Sequence, residues 1–77
     1  MKKIKKITNK ELERRIQGVE ENDVSDIEIY EIDEGEERVY YSCKVYHDQI
    51  GNYEYFNECY VSFESLKITE EDIQHLL

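Results

Sequence analysis

Proline is absent from this 77-residue chain, and its three glycines, Gly18, Gly35 and Gly51, stand alone. The first absence excludes a polyproline linker, and the scatter of glycines excludes a phosphate-cradling loop. Cys43 and Cys59 are the only cysteines, too few for a disulfide framework, so both are expected as free thiols in a reducing compartment. No apolar run is long enough to span a bilayer. The lysine-rich start interleaves Ile4 and Ile7 with charge and lacks the apolar centre of a signal peptide, so a cytoplasmic location is expected, without a membrane partner. The length suits one domain, residues 1–77, with residues 1–7 as a basic N-terminal arm.

Positive charge is also scarce. Ten Lys and Arg face nineteen Asp and Glu, a net of −9. Five of those ten cations fall within the first ten residues, which hold no acid, so the remaining sixty-seven residues carry a net of −14. Such a body repels nucleic acid and anionic lipid and attracts basic surfaces.

Seven tyrosines are present where aliphatic residues are thin. Tyrosine rings are expected to supply much of the core area, with their hydroxyls reaching the edge of the fold. Two helix starts are marked by capping boxes, Thr8 with Glu11 and Thr69 with Asp72. Each is flanked by residues suited to a hydrophobic staple, Ile7 with Leu12 and Ile68 with Ile73. Leu12, Ile16 and Val19 share one face of the first helix, and Asn22 is its expected stop; Ile73, Leu76 and Leu77 form the stripe of the second. Between them the period falls to two, giving strands over 24–33, 37–47 and 53–63. The class is α+β: an N-terminal helix, a three-stranded antiparallel meander and a short C-terminal helix.

A three-residue turn at Gln49-Ile50-Gly51 sets Val45 opposite Tyr55, Tyr41 opposite Cys59 and Val39 opposite Val61 on the inner face. The outer face then pairs Tyr40 with Tyr60, Ser42 with Glu58, Lys44 with Phe56 and Tyr46 with Glu54. Cys43 faces Asn57, leaving Cys59 a diagonal neighbour about 7–8 Å away and out of disulfide reach. For the first hairpin, a two-residue turn at Glu34-Gly35 places Ile27 and Ile29 on the side opposite Val39 and Tyr41. A three-residue turn unites them, and is preferred for that reason.

Chemistry finds little support. Cys43, His47, Cys59 and His75 are the candidate soft ligands, but Cys43 and His47 lie four apart in a strand, about 13 Å, too far to share one zinc ion. An acidic setting raises a thiol's pKa and blunts a cysteine nucleophile. No catalytic residue, metal or cofactor is therefore expected, and the chain is read as a binding protein rather than an enzyme.

The candidate partner-binding residues are the acidic turn Asp33, Glu34, Glu36 and Glu37 together with Tyr40, Tyr46, Glu54, Phe56, Glu58 and Tyr60. Carboxylates spaced along a strand approach the spacing of a phosphate backbone, and exposed tyrosines supply contact area. In size, charge and want of catalytic parts the chain resembles the small acidic inhibitors of phages and mobile elements, anti-CRISPR proteins and other nucleic-acid mimics. It also resembles acidic antitoxin and immunity proteins that block a basic nuclease. The likeness names no target and transfers no site residue. It implies an inhibitor that occupies a basic, nucleic-acid-binding surface of a partner protein and does not itself bind nucleic acid. The alternative is a homodimeric structural or accessory protein joined through its tyrosine-rich sheet face.

Overall fold

A computed structural model describes residues 7–21 and 23–76. The basic arm at residues 1–6, the stop at Asn22 and the packing of Ile73, Leu76 and Leu77 lie outside the described residues or side chains. The order is α1 (Lys10–Val19), β1 (Val24–Asp33), β2 (Arg38–His47), β3 (Asn52–Ser62), α2 (Phe63–Leu66) and α3 (Glu70–Leu76). The strands form one antiparallel sheet, β1-β2-β3, and the meander stands as expected.

Helix α1 begins one residue later than the capping box implied. Asn9 is the cap, its Oδ1 accepting from Leu12 N at 2.9 Å, and Thr8 precedes the helix. The reason lies upstream: Ile7 N donates to Ile29 O at 2.7 Å, so the backbone at Ile7 bridges to β1 while its side chain packs against the core. Leu12 and Ile16 are buried, whereas Val19 is 41% exposed and stays off the core. Glu21 takes the left-handed conformation after the helix (φ 73°). At Thr69 the capping box is complete: Thr69 N donates to Asp72 Oδ2 at 3.1 Å and Asp72 N to Thr69 Oγ1 at 3.2 Å.

Helix α2 is an addition to the expected order. Ser62 Oγ accepts from Ser65 N at 3.1 Å to start it, and Lys67 closes it in the left-handed conformation (φ 56°). This turn buries Phe63 and Leu66. Arg15 ties it to both other helices, donating from Nη1 to the carbonyls of Leu66 (3.5 Å) and Lys67 (3.4 Å) while facing Asp72 at 3.6 Å. A cation at the C-terminal end of α2 and the first turn of α3 offsets the carbonyls and the acids gathered there.

The hairpins differ from expectation, because three bulges interrupt the pairing. Both loops have four residues: Asp33 pairs with Arg38, and His47 with Asn52. Each loop ends on a left-handed residue, Gly51 (φ 63°) in the second and Glu37 (φ 55°) in the first. In β1 an extra residue sits between Ser25 and Glu28, where Asp26 is left-handed (φ 49°), and another between Ile29 and Glu31. In β3 Asn57 and Glu58 together oppose Ser42. The β1 bulges bring Ile29 opposite Tyr41 and Val24 opposite Val45, in phase with Ile32 opposite Val39, so the core is united by bulges and not by a three-residue turn.

The β3 bulge keeps Tyr41–Cys59, Val39–Val61 and Tyr40–Tyr60 as expected and slips everything nearer the loop by one. Val45 now faces Glu54, Lys44 faces Tyr55, Tyr46 faces Tyr53 and Cys43 faces Phe56. The core comprises Leu12, Ile16, Val24, Ile29, Val39, Tyr41, Cys43, Val61, Phe63 and Leu66, between the helices and one sheet face.

Two stability outcomes follow from the caps and loops. Asn9→Ala is expected to cost about 1 kcal/mol and Thr8→Ala much less, measured by urea unfolding. Glu37→Gly, at an exposed left-handed position, is expected to raise stability by up to about 1 kcal/mol. Equal losses at Asn9 and Thr8, or a loss at Glu37→Gly, would contradict the backbone described.

Candidate functional site

The side of the sheet away from the helices gathers six of the seven tyrosines. Tyr40 and Tyr46 come from β2, Tyr53, Tyr55 and Tyr60 from β3, and Tyr30 from β1. Only Tyr41 turns inward, where it is 2% exposed, so contrary to expectation tyrosine does not supply much of the core; aliphatic residues and Phe63 do. Alternation along β2 puts Tyr40 and Tyr46 outward, and the β3 bulge swings Tyr53 and Tyr55 to join them. Their rings form two clusters. Tyr30, Tyr40 and Tyr60 lie at centroid distances of 6.4 and 6.1 Å, and Tyr46 meets Tyr53 edge-on at 5.2 Å. Tyr55 is 70% exposed and Tyr60 56%.

Among the described residues two cations lie on this face, Arg38 and Lys44, and tyrosine rings receive both. The Arg38 guanidinium sits 4.4 Å from the centre of Tyr60, and Lys44 Nζ 4.3 Å from that of Tyr53. Lys44 also pairs with Asp26 at 2.8 Å, and that hydrogen bond holds the ammonium above its ordinary pKa. The strand register adds Glu28, Glu31 and Asp33 to the same side, so carboxylates rim the tyrosines along β1. Asp33 Oδ1 also accepts from Glu36 N at 3.1 Å, fixing the acidic loop at one end of the face.

The expected binding residues are thus only partly brought together. Tyr40, Tyr46 and Tyr60 share the outer face, with Asp33, Glu34, Glu36 and Glu37 at its end. Glu58 lies exposed in the bulge. Glu54 and Phe56 belong to the opposite side, opposite Val45 and Cys43, because the bulge reverses their parity. Glu54 Oε1 there meets His47 Nε2 at 2.8 Å, and Phe56 remains 38% exposed. Tyr53 and Tyr55 were missed for the same reason, and no signal in the sequence marks that bulge. Tyr30, at an extra position in β1, was not among the expected binding residues.

The two thiols are closer than the regular register implied. The bulge sets Cys43 Sγ 4.0 Å from Cys59 Sγ, and both are free. Burial, then the neighbouring Cys59 thiol, pushes Cys43 up to about 12. Burial and the nearby Glu20 carboxylate likewise raise Tyr41 well above the ordinary phenol range. Histidine is elsewhere, His47 with Glu54 and His75 in the last turn of α3. Among the described residues no group of three or more His, Cys, Asp or Glu is placed to hold a metal ion. An open groove of about 550 Å³ between α1 and β1 is lined by charges of both signs, and one of about 450 Å³ beside the β2–β3 loop is lined by the acids Asp23, Asp48 and Glu54 with His47. No helix among the described residues is long and apolar enough to cross a membrane.

Comparison with protein-family models, curated proteins and solved structures finds no match.

The raised Cys43 and Tyr41 carry a pH consequence. Both groups stay protonated in the fold at pH values where the unfolded chain releases their protons. The unfolded state then binds fewer protons, so stability falls as pH rises. Urea midpoints are expected to be level up to about pH 8 and to decline steadily from about pH 9. Tyr41→Phe is expected to flatten part of that decline, and an unchanged slope would remove Tyr41 from the account.

Proposed function

We propose that this chain is a non-enzymatic protein-binding inhibitor whose tyrosine face docks on a basic surface of a partner protein, one that the partner otherwise uses to bind nucleic acid. The observation that carries the reading is the outer face itself: six tyrosines with no helix of the described residues over them, rimmed by Asp26, Glu28, Glu31 and Asp33. Tyrosine gives large contact area at low entropic cost, and exposed aromatic patches of this kind mark interaction surfaces. The acid rim and the net charge of −9 select a cationic partner and repel nucleic acid. Stacking of bases on these rings would need a basic groove, whereas Arg38 and Lys44 are already held by Tyr60, Tyr53 and Asp26. The reading includes a cytoplasmic location, where Cys43 and Cys59 remain thiols. A homodimer through the same face would bring two −9 chains together, a repulsion that a basic partner does not meet.

Pull-down from the source cells, followed by titration of the recovered protein, tests this. Affinity is expected to fall at least tenfold between about 50 and about 300 mM salt, and nucleic acid should compete. Tyr55→Ala and Tyr60→Ala should each weaken binding by more than about 1 kcal/mol, while Glu64→Ala on the helical side should not. A salt-resistant dimer in sedimentation, dispersed by Tyr40→Ala with Tyr60→Ala, would replace this reading with the homodimer. A partner that binds nucleic acid and this chain at once would end it.

A further inference from the structure

The two edges of the sheet are unlike. The β1 edge is blunted by two bulges, by a left-handed Asp26 and by the bridge from Ile7 to Ile29. The β3 edge has no such cover: among the described residues no strand pairs with its far side. From Asn52 to Phe56 every residue is exposed, although the strand is regular there and paired to β2 throughout. Its single bulge, at Asn57 and Glu58, lies beyond that stretch. Edge strands are ordinarily guarded by lysine, proline or a covering element, and β3 contains no Lys, Arg or Pro.

The side chains along this edge state what it would accept. On the outer side Tyr53 and Tyr55 present rings, and Lys44 already shows such a ring holding an ammonium, 4.3 Å from Tyr53. On the other side Glu54 and Phe56 present one carboxylate and one apolar ring. A strand laid against β3 places alternate residues on each side, about 5 Å from these groups. Cations on one side would meet the tyrosines, and a cation with an apolar neighbour on the other would meet Glu54 and Phe56. A second copy of the same strand would instead bring further carboxylates into a chain of net charge −9.

We propose that β3 is a docking edge that pairs its Asn52–Phe56 stretch with an extended, lysine- or arginine-bearing segment of the partner. The proposal rests on the basic-partner reading above and adds a backbone-mediated mode to it. The probe is an acetylated ten-residue peptide of the repeat Lys-Lys-Lys-Val, which puts Lys on one side and Lys alternating with Val on the other, compared with a counterpart methylated on every backbone nitrogen. The plain peptide is expected to bind, slow hydrogen exchange at amides of residues 52–56, and lose binding on Tyr55→Lys, a change at an exposed site. The methylated peptide, with the same charge and spacing, is expected to bind at least tenfold more weakly.

Equal binding of both peptides would overturn strand pairing while leaving a cation-attracting tyrosine face in place. Binding of neither would overturn the edge proposal, with the face still judged by the recovered partner's response to Tyr60→Ala. Protection of residues 52–56 that grows with protein concentration, without peptide, would assign the edge to a second copy and overturn the basic segment.

Discussion

Side chains alternate across a strand with a period of two, so one inserted residue exchanges the two faces for everything beyond it. Three such insertions govern this sheet, at Asp26-Ile27, Tyr30-Glu31 and Asn57-Glu58. The first two keep β1 in phase with β2, so that Val24, Ile29 and Ile32 all reach the helical side. The third acts in the opposite sense on β3. It leaves Val61 and Cys59 inward and sends Tyr53 and Tyr55 outward, at the cost of turning Phe56 to the inner side, where it stays 38% exposed.

The core is shorter than the sheet. Leu12 and Ile16 of α1, with Phe63 and Leu66 of α2, cover the half of the sheet around Ile29, Val39 and Val61. Arg15 draws the three helices together over that half through the carbonyls of Leu66 and Lys67 and the Asp72 carboxylate. The end of the β2–β3 hairpin extends past this cover, supported by cross-strand pairs such as Tyr46 with Tyr53 and His47 with Glu54. Such pairs each contribute roughly 0.2–1 kcal/mol, far less than a buried aliphatic side chain. The hairpin end is therefore the least stable part of the sheet, where local opening requires no disruption of the core.

The strand limits and the Thr69 capping box were legible because they depend on neighbours within a few residues. The Thr8 box was legible but superseded, since Thr8 and Asn9 are both competent caps and the bridge from Ile7 to Ile29 chooses between them. The β3 bulge was not legible. Tyrosine is amphipathic, so Tyr53-Glu54-Tyr55-Phe56 satisfies either parity, and no glycine marks the insertion at Asn57-Glu58. Tyr40, Tyr46 and Tyr60 were placed correctly because none of them depends on the stretch of β3 between the loop and the bulge. Helix α2 escaped notice because Ser62, Ser65 and Lys67 define a single turn too short for any hydrophobic period.

An acidic, tyrosine-rich face need not be a nucleic-acid platform merely because its rings are flat. A base stacked on Tyr55 or Tyr60 brings a phosphate toward Glu58 and the carboxylates of β1, and the repulsion grows with each added nucleotide. A cation experiences the reverse. The ring quadrupole and the rim carboxylates both attract it, as Arg38 over Tyr60 and Lys44 between Tyr53 and Asp26 demonstrate within the chain. Those internal cations occupy one side of their rings and offset part of the local charge, which keeps six tyrosines and their acids compatible in the free protein. What remains exposed, Tyr55 above all, offers a partner both apolar area and a site for positive charge. On the proposed function, that combination discriminates against nucleic acid by charge and in favour of a nucleic-acid-binding protein by the same charge.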